Sequence, residues 1–209
     1  MATFNSTTFG AISGRHGSAV AATTKDGKSY LRIYRAPSDP KSTKQVAQRT
    51  KFAFANSSLS CFRSLFKETF NDRRGMNSGV SYALRDAIVG ESPDFSIDYT
   101  KLTFTVGSVN KVLAVSASVN NNKVTLNWDF VAASQSKSDD KISFIFFNED
   151  TLLSIHMKDS CTRGLKTMEM ELPQAWKGSE VYCWLYVSAT DNLMATNYSE
   201  SQFVDVLQL

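Results

Sequence analysis

Few side chains in this sequence could do nucleophilic or acid–base chemistry. The two histidines, His16 and His156, and the three cysteines, Cys61, Cys161 and Cys183, lie far apart along the 209 residues. Metal ligands usually come in closely spaced pairs, so no metal centre is expected from them. An odd cysteine count at wide spacing does not read as a disulfide framework. Buried free thiols of a reducing compartment are expected, with a bridge between Cys161 and Cys183 as the alternative. A Ser/His/Asp triad assembles from distant positions, so composition leaves that chemistry open, but neither histidine sits in a catalytic motif. The sequence has no Gly-rich phosphate loop with a following Lys-Ser/Thr, and no Gly-x-Ser-x-Gly elbow. The adjacent carboxylates Asp139-Asp140 and Glu149-Asp150 read as solvated turns at strand ends, and Asp94 and Asp98 as turn and capping residues. The expectation is a protein that is not an enzyme and carries no cofactor.

Two sets of side chains remain as candidates for binding. The first is basic. Residues 1–90 hold 14 Lys/Arg against 5 Asp/Glu, whereas residues 91–209 hold 9 against 15. The planar guanidinium fork suits carboxylates and phosphates, so Arg15, Arg32, Arg35, Arg49, Arg73 and Arg74 mark a candidate surface for acidic protein or nucleic acid. Opposite signs at the two ends of one molecule also favour head-to-tail association. Gly14-Arg15-His16-Gly17 has the spacing of a backbone-clamping Gly-x-x-Gly loop, although a tight backbone path explains its glycines as well. The second set is aromatic. Tyr182, Trp184 and Tyr186 alternate with Val181, Cys183, Leu185 and Val187, which makes one face of a strand a stacking platform if it is open. A covering helix would turn that face into core, and that is the expected case.

The elements that must position these residues are legible from periodicity. Residues 18–24 and 29–34 read as a hairpin around Asp26-Gly27, with Tyr30, Arg32 and Tyr34 on one face and Leu31, Ile33 and Arg35 on the other. Pro37 and Pro40 interrupt regular structure. Ser42 with Gln45 matches a capping box, so a helix is expected to start there. Phe52, Ala55, Leu59, Phe62, Phe66 and Phe70 form one stripe along it. A second helix fits 78–89, with Val80, Leu84, Ala87 and Ile88 on one side and Gly90 as its stop. Beyond Lys101 the period changes to two. Strands are expected at 101–106, 111–118, 123–131, 141–148, 151–157, 165–172, 180–189 and 200–207. The predicted fold class is α+β: a basic hairpin-plus-helices region over 1–98, then an immunoglobulin/fibronectin III-like sandwich over 99–209.

The composition agrees with a folded domain. With 42% apolar residues, 21% charged and a net charge of +3, the chain is not of the disordered class. Ten glycines and four prolines exclude collagen-like and linker-like chains. No stretch approaches the roughly 20 apolar residues of a membrane span. The opening Met1-Ala2-Thr3-Phe4-Asn5-Ser6 lacks a basic cluster followed by an apolar run, so no secretory signal is expected. The chain is then expected to be made in the cytoplasm, with a virion or other extracellular particle as a further destination.

Several stretches together resemble an uncharacterised bacterial family, a domain of unknown function. They are Phe9-Gly10-Ala11-Ile12-Ser13-Gly14 with Gly17, Gln45-Val46-Ala47-Gln48-Arg49, Ser81-Tyr82-Ala83-Leu84, Ala87-Ile88-Val89-Gly90, Asp94-Phe95-Ser96-Ile97-Asp98-Tyr99 and Tyr182-Cys183-Trp184. The resemblance spans nearly the whole chain and implies the same plan of a basic α+β part followed by an immunoglobulin-like one. It brings no activity and no site residues. Three functions are therefore expected from the residues themselves. The first is a non-catalytic structural protein that associates with itself or other structural proteins in a larger particle, such as a phage virion or tail. The second is a surface adhesion module that binds glycan or protein through the aromatic strand face. The third is a nucleic-acid binder using the arginine-rich half.

Overall fold

The structure, a computed structural model, describes residues 2–4, 13–70, 75–120, 122–133, 136–190 and 197–209. The chain forms two compact units, Met1–Ser42 and Thr43–Leu209.

The first unit is a four-stranded antiparallel sheet built from β1 (Ala2–Phe4), β2 (Gly14–His16), β3 (Ala19–Thr23) and β4 (Ser29–Ile33), in the order β1-β4-β3-β2. The expected hairpin is present, and Gly27 takes φ +77° at its tip. Asp26 does not share that conformation. The turn is wider than a two-residue Asp-Gly loop: the Thr24 amide donates to the Lys28 carbonyl, and the Thr24 carbonyl accepts from Gly27. Pairing of Arg15 with Val20 and of Val20 with Arg32 puts both arginines on the face that carries Tyr30 and Tyr34. Leu31 and Ile33 point the other way, with Ala19 and Ala21.

The second unit mixes helices with the remaining sheets, so the fold is α+β. α1 (Thr43–Ser58) begins directly after Ser42, as the capping signal predicts. A 3₁₀ turn over Leu59–Phe62 joins it to α2 (Arg63–Thr69), and α3 (Gly75–Asp86) packs back on α2. The buried stripe continues through the change of pitch. Ala55, Leu59, Phe62 and Phe66 are buried, whereas Phe52, one turn too early, is exposed. Gly79 sits inside α3 because a Cβ there would lie 2.6 Å from the Phe66 ring. Residues 88–90 do not extend the helix. They belong to β5 (Ile88–Glu91), which pairs with β6 (Asp94–Ile97) across a cis Ser92–Pro93 bond.

Seven longer strands follow: β7 (Leu113–Asn120), β8 (Lys123–Asp129), β9 (Lys141–Asn148), β10 (Leu153–Thr162), β11 (Thr167–Glu171), β12 (Glu180–Ser188) and β13 (Gln202–Gln208). They form one sheet in the order β11-β8-β7 and another in the order β10-β9-β12-β13. The expected strand at 101–106 is absent. Its apolar residues Leu102 and Phe104 are buried, but the segment makes no ladder. Apolar alternation matches burial at Leu102 and Phe104 but not at Val106, which is exposed, and pairing was decided by the neighbours.

Two cores flank the β10-β9-β12-β13 sheet. On one side Phe144, Phe146, Cys183, Leu185 and Val187 meet Val124, Leu126 and Trp128 of β8. On the other, Ile145, Phe147, Trp184 and Tyr186 meet Phe62, Phe66, Val80 and Ala83 of the helices. Strand β9 is covered on both faces, which is why Ile142-Ser143-Phe144-Ile145-Phe146-Phe147 is apolar at every position but Ser143. A boundary at 98/99 would cut through the helix-side core.

Candidate functional site

The basic candidates separate on folding. Arg15, Arg32 and Arg35 lie in the first unit, all exposed, while Arg49 lies on α1 in the second. Arg73 and Arg74 lie outside the described residues. The charge asymmetry also divides differently from the halves of the sequence. The first unit holds six Lys/Arg against two Asp, and the second holds 17 Lys/Arg against 18 Asp/Glu. The concentrated positive pole is thus the small sheet, with no strongly negative unit as its counterpart. On that sheet the Arg15 guanidinium carbon stands 3.9 Å from the Tyr34 ring centroid, and its Nε donates to the Gly17 carbonyl at 3.1 Å. Gly14 and Gly17 have φ of +116° and +58°, so the Gly-x-x-Gly segment is a short strand pinned between two left-handed positions.

The aromatic platform is closed. Trp184 and Tyr186 are fully covered, with Phe104 edge-on to Trp184 at 5.0 Å, and Tyr182 alone of the three is partly open. The physical reason is the phenylalanine face of the helices, which needs an apolar surface and finds this one. An adhesion surface built on all three rings is ruled out by that cover.

Under the same helices lies a polar chain that sequence reading missed. His156 on β10 stands with Nε2 2.8 Å from the Tyr186 hydroxyl and Nδ1 3.3 Å from Glu68 on α2. Lys158, two residues along the strand, donates to the other Glu68 oxygen at 2.9 Å. Burial lowers the His156 pKa, with Glu68 opposing, so the neutral ring is favoured. A neutral ring satisfies both neighbours: Nδ1–H donates to Glu68 while Nε2 accepts from Tyr186. Burial raises the tyrosine pKa and keeps its proton in place, and the Lys158 hydrogen bond lowers that of Glu68. A histidine between an acid and a hydroxyl has the members of a catalytic relay. Here the hydroxyl is enclosed and the imidazole side chain is only 15% exposed, so the arrangement joins helix to sheet. Periodicity places His156 and Lys158 on one strand face but gives no sign that Glu68, far away in sequence, will face them.

A second buried polar group corrects the reading of Asp139-Asp140 as a solvated turn. Asp140 is 2% exposed and pairs at 3.6 Å with Arg163, itself 3% exposed. Arg163 donates through Nη2 to the Lys111 carbonyl at 2.6 Å, and its own carbonyl accepts from the Trp128 indole at 2.8 Å. Burial draws the guanidinium pKa down, with Asp140 opposing. These contacts lock the end of β10 to β8.

The cysteines are free thiols, Cys161 and Cys183 buried. Burial pushes the Cys161 pKa up to about 11 and that of Cys183 further still, so neither is a ready nucleophile. Among the described residues, no helix is long and apolar enough to cross a membrane.

No curated protein matches the chain. A family model described as a family of unknown function (DUF6266) matches residues 11–202, from just before β2 to the start of β13. The chain belongs to that family of unknown function.

Proposed function

We propose that this is a non-catalytic structural protein that assembles with copies of itself, as a virion or tail-like component does, through the sheet of its first unit. The observation that carries this reading is the open apolar face of that sheet. Among its described residues Ala21 is the one buried apolar side chain, while Ile33 is 78% and Leu31 38% exposed. Strands of three to five residues need a covered apolar face to be stable, and an uncovered one marks a contact surface. Within β2, β3 and β4 that face carries no Lys, Arg, Asp or Glu, and Arg35, exposed two residues beyond the end of β4, is the cation nearest to it along the strand, so apolar contact would hold two copies there. The opposite face, with Arg15 and Arg32, would repel its own copy.

The second unit is read as an immunoglobulin/fibronectin III-like sandwich that carries this contact element. Strand order supports the reading. β7, β8 and β11 take the places of strands A, B and E, and β9, β12 and β13 those of C, F and G, with β10 added beside C. The closed surroundings of His156 and the raised thiol pKa values support a non-catalytic role.

Replacing Ile33 with Asp is the test. The variant is expected to keep the thermal transition of the second unit and to run at a lower mass than the wild type by size exclusion with light scattering. Equal masses for variant and wild type would remove the apolar face from the account. Capsid, portal or tail genes beside this gene would support the virion reading, and metabolic genes there would count against it.

A further inference from the structure

We infer that the other face of the small sheet binds single-stranded nucleic acid. Arg15, Val20 and Arg32 stand side by side across β2, β3 and β4, and Arg32 is flanked by Tyr30 on β4 and by Tyr34 just past its end. Two strand spacings separate the arginines by roughly 10 Å, and four residues separate the tyrosines by roughly 13 Å. Arg15, Arg32 and Tyr34 are exposed, and no Asp or Glu occurs within β2, β3 or β4. Lys25 and Lys28 extend the positive charge along the hairpin tip, with Asp26 as the one acid there.

A cationic face with interleaved rings matches the two demands of a single strand: phosphate charges to neutralise and unpaired bases to stack. An acidic protein would use the charges and leave the rings idle. The Arg15 guanidinium carbon, 3.9 Å from the Tyr34 ring centroid, sets a cation beside an aromatic ring, which favours the nucleic acid because phosphate and base can engage the neighbouring groups together. A duplex hides its bases and would use the phosphate part alone. This surface is opposite the apolar face, so binding and self-association are independent and can fail separately.

The test uses fluorescence anisotropy of the full chain with labelled oligothymidylate and oligouridylate, titrated over a range of salt. Wild type is expected to bind at low salt and to weaken linearly on a log–log plot as salt rises. R15A/R32A should weaken binding at least about tenfold and make that slope shallower by about two, one per phosphate contact. Tyr34→Ala should weaken binding to the oligonucleotides and leave binding to heparin, which has no bases, unchanged. Both arginines and the tyrosine are on the exposed face, and unchanged circular dichroism confirms folded variants. Wild type that fails to bind at low salt, or an R15A/R32A variant that binds equally well, overturns the inference. So does polyglutamate binding that matches the oligonucleotides, which would assign the face to acidic protein. Repeating the titration with Ile33→Asp separates this inference from assembly, because oligonucleotide binding should survive in that variant.

Discussion

Trp184 shows how a single side chain passes from candidate ligand platform to core. It alternates with Cys183 and Leu185 on a strand covered on both faces, and it stacks with Tyr182 while meeting Phe104 and Phe203 edge-on. Truncating it opens a large cavity, so Trp184→Ala should lower unfolding free energy by about 3–5 kcal/mol in urea titration. Among the described residues its indole nitrogen has no hydrogen-bond partner, so Trp184→Phe should cost much less than the alanine change. Arg163→Ala should cost a similar 3–5 kcal/mol or so, because it leaves the Asp140 carboxylate buried without its cation. The two sites differ in how readily they can be found from sequence. A strand with aromatics on one face and aliphatics on the other announces burial on both sides, so the closed state of Trp184 was expected. Nothing local distinguishes Asp140 from the exposed Asp139 beside it, since its burial depends on an arginine from a different strand end.

At the scale of elements, the helices are held on the sheet by an apolar face and by polar contacts that include the latch Glu68–His156–Tyr186, with Lys158 bracing the acid. The latch sets a pH dependence. His156 has a lower pKa in the folded chain than its ordinary 6.5, so its contribution is complete above that value and is lost as pH falls below it. Glu68 also has a lowered pKa, and its contribution is lost at more acid pH still. Both changes act in the same direction. The melting temperature should fall as pH is lowered from neutral toward 5, and His156→Gln, which has no titrating ring, should flatten that first part of the curve. A wild-type curve flat between pH 7 and 5 would show that the ring is as easily protonated folded as unfolded. Element positions were largely readable because period-two and period-three-to-four patterns report burial, and β7 to β13 each overlap a predicted span, although β10 runs five residues past 151–157. The errors fall where burial and pairing part company. Leu102 and Phe104 are buried in a segment that makes no ladder, and residues 88–89 pair as a strand although their spacing continues that of a helix. The partner that covers Phe62 and Phe66 was inferred in kind, whereas the latch beneath the helices could come only from three-dimensional neighbours.

For the whole molecule, a unit with two cores contrasts with a thin sheet that has one partly exposed apolar face and one basic face. Division of the chain by charge along the sequence suggested a dipole of two halves. Folding concentrates the positive excess on the first 42 residues and leaves the rest close to neutral, so the proposed association rests on apolar contact more than on opposite charge. Raised salt should therefore leave self-association intact and remove oligonucleotide binding. Sedimentation velocity of the wild-type chain over a wide concentration range at moderate salt is the most direct test of assembly. The account predicts a mass that climbs above the 23.2 kDa of one chain as concentration increases. A single boundary at 23.2 kDa at every concentration would contradict it.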